Sequence, residues 1–285
     1  MTTQGRRRAY GQHFLRDKAL CDRIATSALE LCRENGCQRL LEVGPGKGAI
    51  TLPILEHWPE LSGGMTELVL VEKDQKLAAD WTAEREQRLA TIGKCPLRVE
   101  SSDFLELPEE RWLLPAPLGI VSNLPYSAGT AILDRLARSA ESIPFMLLMF
   151  QAEVAQRIRA EPDTKAWGSL SVWIQNAWDV TRFATVPPGA FSPPPEVMSE
   201  VVVLRRRKEP RIPGTTRNKV AAELWEKLLK TAFAHRRKML RSGLPRTGPW
   251  LEALEAAGIA GTRRAETLDW PDWEKLFSAL SARHA

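Results

Sequence analysis

The sequence predicts an α/β chain: an open Rossmann-like sheet followed by a small all-α domain. Three observations predict it. Strand-like segments at Arg39 to Val43, Glu67 to Val71, Leu97 to Glu100, Leu118 to Val121 and Phe145 to Phe150 alternate with helical patterns, the order of a parallel sheet with crossover helices. The first run leads directly into Gly44-Pro45-Gly46-Lys47-Gly48 and then into a helical pattern with Ile50, Leu52, Ile54 and Leu55. Near residues 205–216 the apolar pattern gives way to Arg, Lys, Pro, Gly and Thr, and only amphipathic helices follow.

Taken in order, residues 1–16 form a basic arm. Asp17 is placed to cap a helix whose buried face is Leu20, Ile24, Ala28 and Leu31, residues that recur at helical spacing. The Rossmann-like domain is expected over 17–204, with a helix from Gln151 to Ala160 after the buried strand ending at Phe150. Pro187-Pro188-Gly189 and Ser192-Pro193-Pro194-Pro195 stiffen a loop, because proline fixes φ, and Glu200 to Leu204 returns as a strand. Residues 205–285 form the helical domain, with helices at about 217–235, 236–243, 249–258 and 271–283. No internal repeat or low-complexity tract interrupts this order.

The chain has 285 residues, 44% hydrophobic and 26% charged, ordinary for a globular protein. No apolar run has the length of a membrane span. The start, Met-Thr-Thr-Gln-Gly-Arg-Arg-Arg, lacks the apolar core of a secretory leader, so a cytoplasmic protein away from membranes is expected. Cys21, Cys32, Cys37 and Cys95 have neither the Cys-x-x-Cys nor the histidine spacing of a metal site. They read as reduced thiols, and no metal is expected. The ten tryptophans are expected mostly as packing. The net charge of +5 conceals a division: residues 205–285 hold 18 basic and 9 acidic side chains, residues 1–204 hold 22 and 26. Basic ends around an acidic centre suit phosphate-binding surfaces flanking a small-ligand site; a solvated linker is the plain alternative for Arg205-Arg206-Arg207-Lys208.

Strand, glycine turn, helix is how α/β proteins present backbone N–H groups to a ligand. The spacing Gly44, Gly46, Ala49 also fits a dinucleotide fingerprint, but the Lys-Ser/Thr of a phosphate-binding P-loop is missing. Glu72, at the tip of the next strand, can accept bonds from both hydroxyls of a ribose. Asp103, after the strand ending at Glu100, can accept a bond from an adenine amine. Ser122-Asn123-Leu124-Pro125-Tyr126 follows a further strand. Asn123 offers a side-chain oxygen as acceptor, Pro125 stiffens the turn and Tyr126 offers a flat face for a base. That set suits a reaction at the amino group of a nucleobase, against the simpler alternative of a proline turn with Tyr126 in the core. In an open sheet, ligands bind at the carboxyl edge, where all four features fall.

Gly11-Gln12-His13-Phe14-Leu15, Leu41 to Gly48, Asn123 to Tyr126 and Phe191-Ser192-Pro193-Pro194-Pro195 together resemble the KsgA/RsmA family of dimethyladenosine transferases, over about Arg8 to Phe277. The resemblance implies a class I S-adenosylmethionine-dependent methyltransferase fold. It implies transfer of methyl groups to N6 of two adjacent adenosines in the 3′-terminal hairpin loop of 16S rRNA, during small-subunit biogenesis. It places His13, Leu15, Gly44, Gly46, Glu72, Asp103 and Asn123 at the cofactor. It places Asn123, Leu124, Pro125 and Tyr126 at the reacting base, with Phe191 as the second stacking face. Thr231 to Arg241 resembles the basic segment of the family's second domain, which implies RNA contacts from Arg236, Arg237, Lys238 and Arg241. A monomer is expected, with 16S rRNA or its precursor as partner. Two positions depart from the pattern: His13 stands where the family usually has Asn, and Trp167 where it has Tyr.

Three other readings remain at this point. An NAD-dependent dehydrogenase would share the glycine turn and Glu72 but has no use for Asn-Leu-Pro-Tyr. An Erm-type enzyme acting on large-subunit rRNA would share the first three motifs. A non-catalytic assembly factor would not need Asn123 and the glycine turn intact.

Overall fold

The computed structural model describes residues 13–91, 95–236 and 238–283. Most of the basic arm, and Arg237 of the expected RNA contacts, lie outside the described residues. In chain order the elements are β1 (Phe14–Leu15), α1 (Lys18–Glu34), β2 (Arg39–Val43), α2 (Thr51–Leu61), β3 (Glu67–Glu72), α3 (Gln75–Thr91), β4 (Leu97–Ser101), α4 (Glu109–Trp112), β5 (Leu118–Asn123), α5 (Gly129–Arg138), β6 (Phe145–Gln151), α6 (Ala152–Ile158), α7 (Ser169–Ala177), β7 (Trp178–Val186), β8 (Phe191–Ser192), β9 (Ser199–Arg206), α8 (Lys219–Phe233), α9 (Leu240–Gly243), α10 (Trp250–Ala256) and α11 (Trp270–Ser281). They divide into two compact units, Met1–Ala155 with Thr181–Arg206, and Gln156–Val180 with Arg207–Ala285.

The first unit carries a seven-stranded sheet of order β4-β3-β2-β5-β6-β9-β7. Strands β2 to β6 pair in parallel and β9 returns antiparallel to β6. Strands covered on both faces must be apolar along their whole length, and β2, β5 and β6 are buried almost throughout. The chain runs from β2 outward through β3 to β4, then crosses back to β5 on the other side of β2. That reversal opens a crevice at the carboxyl ends of the central strands. Asp17 caps α1, its carboxylate accepting from the Leu20 N–H at 3.1 Å, and Leu20, Ile24, Ala28 and Leu31 are buried as one face. A second, two-stranded sheet pairs β1 with β8, setting Leu15 opposite Phe191.

The second unit has its own core, where Trp167 and Val172 pack with Trp225, Leu228, Trp273 and Leu276. Residues 156–180 are expected from the sequence to belong to a first domain ending at 204. The structure groups them with the helices, because Trp167 and, on α7, Val172 and Trp173 pack into the helical core. A buried polar cluster fastens the connecting chain: Asn176 donates to Thr215 Oγ1 and accepts from the Ile212 N–H, both at 2.8 Å. Asn218 caps α8 through the N–H groups of Val220 and Ala221. The helix ends at Phe233, and among the described residues of the expected helix over 236–243 only Leu240–Gly243 is helical. Eight of the ten tryptophans are buried, so they serve packing. No helix among the described residues is long and apolar enough to cross a membrane.

Candidate functional site

The crevice in the first unit is a cavity of about 1180 Å³. Its wall takes residues from the carboxyl ends of four neighbouring strands: Glu42 to Gly48 after β2, Glu72 to Asp74 after β3, Ser102 to Phe104 after β4, and Asn123 to Ala128 after β5. His13, Phe14 and Leu15 close it from the N-terminal side.

The turn after β2 is shaped by its glycines. Gly48 has φ +85°, and a Cβ there would lie 2.6 Å from the Trp81 ring. Both the left-handed backbone and the space exclude a side chain. Trp81 in turn donates its indole N–H to the Gly46 carbonyl at 3.0 Å. Gly46 has φ +57°, and a Cβ on it would meet Phe14 at 3.2 Å. The turn therefore offers bare backbone to whatever enters the cavity.

Glu72 is buried, with 4% exposure. Its Oε2 accepts from the Gly46 N–H at 3.0 Å and its Oε1 from the Asp74 N–H at 2.8 Å. Burial raises its pKa, and the backbone donors pull the other way without overcoming it. The Lys73 backbone N–H also bonds this carboxylate, and of the four lone-pair directions on its two oxygens three backbone donors leave one for a ligand. Asp103 is held differently. Its Oδ2 accepts from Lys73 Nζ at 2.6 Å and its Oδ1 from the Leu105 N–H at 2.9 Å. Burial disfavours its charge, yet the Lys73 and Leu105 hydrogen bonds and the Lys73 and Arg135 charges outweigh that, and its pKa falls. Arg135 also fixes the loop itself, donating to the carbonyls of Phe104 and Leu107.

Glu42 is an acid that sequence reasoning missed. It is 2% exposed, lines the cavity, and accepts from the Thr51 hydroxyl at 2.6 Å. Burial pushes its pKa up to about 8, against the Thr51 bond and with help from Glu72. A carboxylate between Leu41 and Val43 in a short strand read as buried was the available signal, since an acid is rarely buried without a reason. Lys73 and Arg135 left no comparable mark in the sequence.

Asn123 ends β5 and donates its amide N–H to the His13 carbonyl at 3.4 Å. Tyr126 is half-buried, its hydroxyl 2.6 Å from Ser199 Oγ; burial raises its pKa. The His13 ring lies 5.4 Å from the Tyr126 ring, centre to centre, with His13 Nδ1 2.8 Å from the Pro193 carbonyl. The structure thus brings His13, Leu15, Gly44, Gly46, Glu72, Asp103, Asn123, Leu124, Pro125 and Tyr126 to one cavity. Phe191 is different. It is 3% exposed, packs in the main core and does not line the cavity. Pairing of β8 with β1 turns its ring inward, so a base cannot stack on it in this conformation.

The second unit has a basic hollow of about 1010 Å³ lined by Lys165, His235, Arg236, Lys238 and Arg264, with Asp163 and Glu266. Arg236 is already engaged, donating to Glu266 at 2.9 Å and to the Lys165 carbonyl. Because α8 stops at Phe233, Arg236 and Lys238 sit on a turn ahead of the short helix bearing Arg241, and not along one continuous helix face.

Sheet order, glycine turn and acids at successive strand ends define a Rossmann-like methyltransferase. More narrowly, the chain belongs to the ribosomal RNA adenine dimethylase family, whose model matches residues 3–281. It is 38% identical to the ribosomal RNA small subunit methyltransferase A of Ruegeria sp. (strain TM1040), over 96% of this chain and 91% of that one. Among solved structures it resembles a dimethyladenosine transferase from Plasmodium falciparum, with a TM-score of 0.73 and 20% identity over 95% of this chain and 98% of that one. It also resembles the 23S rRNA methyltransferase ErmE, with a TM-score of 0.64 and 24% identity over 94% and 99%. At those identities the two structures speak for the fold alone.

Proposed function

We propose that this protein transfers methyl groups from S-adenosylmethionine to N6 of two adjacent adenosines in the 3′-terminal hairpin loop of 16S rRNA. The observation that carries this is the placement of Asn123 in the same cavity as the glycine turn, Glu72 and Asp103. Small-subunit rRNA is favoured over large-subunit rRNA by the relatives at 36–38% identity, which bear the small-subunit name.

The residues present fit the cofactor. The turn at Gly44 to Gly48 presents backbone on left-handed glycines with no side chain in the way, Glu72 keeps an acceptor for a ribose hydroxyl, and Asp103, its pKa lowered, is anionic for the adenine amine. The cofactor supplies an electrophilic methyl group on a sulfonium. The protein supplies position. An adenine N6 is a weak nucleophile because its lone pair is delocalised into the ring. Bonds from N6–H to Asn123 Oδ1 and to the Leu124 carbonyl draw that lone pair back to nitrogen. Asn123 spends its own N–H on His13, which leaves its oxygen for the substrate. Tyr126 stacks on the flipped-out base, and Phe191, buried in the core, leaves that role to Tyr126 alone. No strong base is needed, since the methylated ammonium is acidic enough to release its proton to water. A neutral Asn tolerates a base already methylated once, as two successive transfers require. Lys238, Arg241 and the neighbouring cations supply phosphate contacts to the RNA.

The test is to incubate the protein with labelled methyl donor and undermethylated small subunits, with large subunits in parallel, and to map the label. Label on N6 of small-subunit adenosines is expected; label confined to large subunits would favour the Erm-type reading.

A further inference from the structure

The ring proposed to receive the base is anchored from a distant strand. Ser199 opens β9, is 0% exposed and stands opposite Gln151 of β6. Its hydroxyl lies 2.6 Å from that of Tyr126. A buried hydroxyl left unpaired is costly, so the pair holds the phenol oxygen in one place. The chain just before β9 contributes a second restraint. The Pro193 carbonyl is 2.8 Å from His13 Nδ1, and the His13 ring flanks Tyr126 at 5.4 Å and 32°. Tyr126 is therefore held at its hydroxyl end by Ser199 and along one flank by His13.

We infer that Ser199 is a positioning residue for methyl transfer: by bonding the Tyr126 hydroxyl it fixes the orientation of the ring on which the target adenine stacks, and so the register of N6 against Asn123. The inference rests on the proposed stacking role of Tyr126. Ser199 itself touches neither base nor cofactor. Loss of the bond leaves a ring that can still stack but no longer at one angle. Small misplacements of a reacting atom are costly in rate even when binding survives.

The experiment compares Ser199→Ala, Tyr126→Phe and the double variant in single-turnover methylation of undermethylated small subunits. The phenol is read directly by ultraviolet resonance Raman; the chain has two tyrosines, so a Tyr10→Phe background leaves Tyr126 alone. Each single variant is expected to lose about tenfold in rate with cofactor affinity unchanged, and the double variant to lose no more than either, since both break one bond. The Raman signature of Tyr126 should change in Ser199→Ala. Costs that multiply in the double variant, or an unchanged signature, would overturn the inference. If Ser199→Ala does not fold, Tyr126→Phe decides alone, and a wild-type rate in it overturns the inference. Tyr126→Ala separates the two layers: full activity there defeats the stacking reading itself, whatever Ser199 does.

Discussion

Glu72 Oε2 accepts a hydrogen bond from the Gly46 N–H at 3.0 Å. The acid at the tip of β3 and the glycine turn after β2 therefore form one unit, in which a side chain from one strand sets the backbone presented by the next.

Glu72→Ala should weaken cofactor binding by about 1.5–3 kcal/mol, the range for losing bonds to a charged group. Titration calorimetry with S-adenosylhomocysteine measures it. Wild-type affinity would remove Glu72 from the cofactor site.

Glu42 predicts a pH dependence of stability. Its folded pKa of about 8 stands above the ordinary 4.5 because the side chain is buried. The unfolded chain gives up this proton first, so across that window the folded state holds more protons. Stability falls as pH rises through the window, by at most about 1.4 kcal/mol per pH unit. Glu42→Gln keeps an acceptor for Thr51 and should flatten the profile, gaining on the wild type from about pH 5 to about pH 8. Urea denaturation at several pH values gives the two slopes, and equal slopes would show that Glu42 is ionised in the fold.

The cations of the second unit should separate by role. Lys238→Ala and Arg241→Ala are expected to weaken small-subunit binding and to flatten its salt dependence by roughly 0.7–0.9 log units per lost phosphate contact. Arg236→Ala acts first on its bonds to Glu266 and Lys165, worth about 0–1 kcal/mol of stability for so exposed a pair. Filter binding across a salt series, with melting curves of each variant, distinguishes them. A wild-type salt slope in all three would place the RNA contacts elsewhere.

Much of this arrangement was legible in the sequence because it is local. Each of Glu72, Asp103 and Asn123 lies at or just past the end of a short strand, so their place on the carboxyl edge could be read without coordinates. What was not legible depends on partners far along the chain. Phe191 is turned inward by pairing with Leu15, and Ser199 meets Tyr126 only because β9 folds back on β6. Residues 156–180 carry apolar side chains that would suit either core, and no local pattern says which one they join. The helix expected over 236–243 is reduced to Leu240–Gly243 among the described residues, because the acceptable helix propensity of His235 to Arg241 is a weak guide against tertiary context.

Gly48→Ala should destabilise the first unit by about 1–3 kcal/mol, from the left-handed backbone and the collision with Trp81. A lowered melting temperature is the readout. An unchanged one would mean that the turn can move away from Trp81.

The account turns on Asn123 acting on the reacting amine and not on holding the cofactor. The direct measurement is the single-turnover rate of methyl transfer to small subunits by Asn123→Ala, beside its affinity for S-adenosylhomocysteine. The account predicts affinity within about threefold of wild type and loss of most of the rate, the pattern of a contact made chiefly in the transition state. A normal rate in that variant would contradict it.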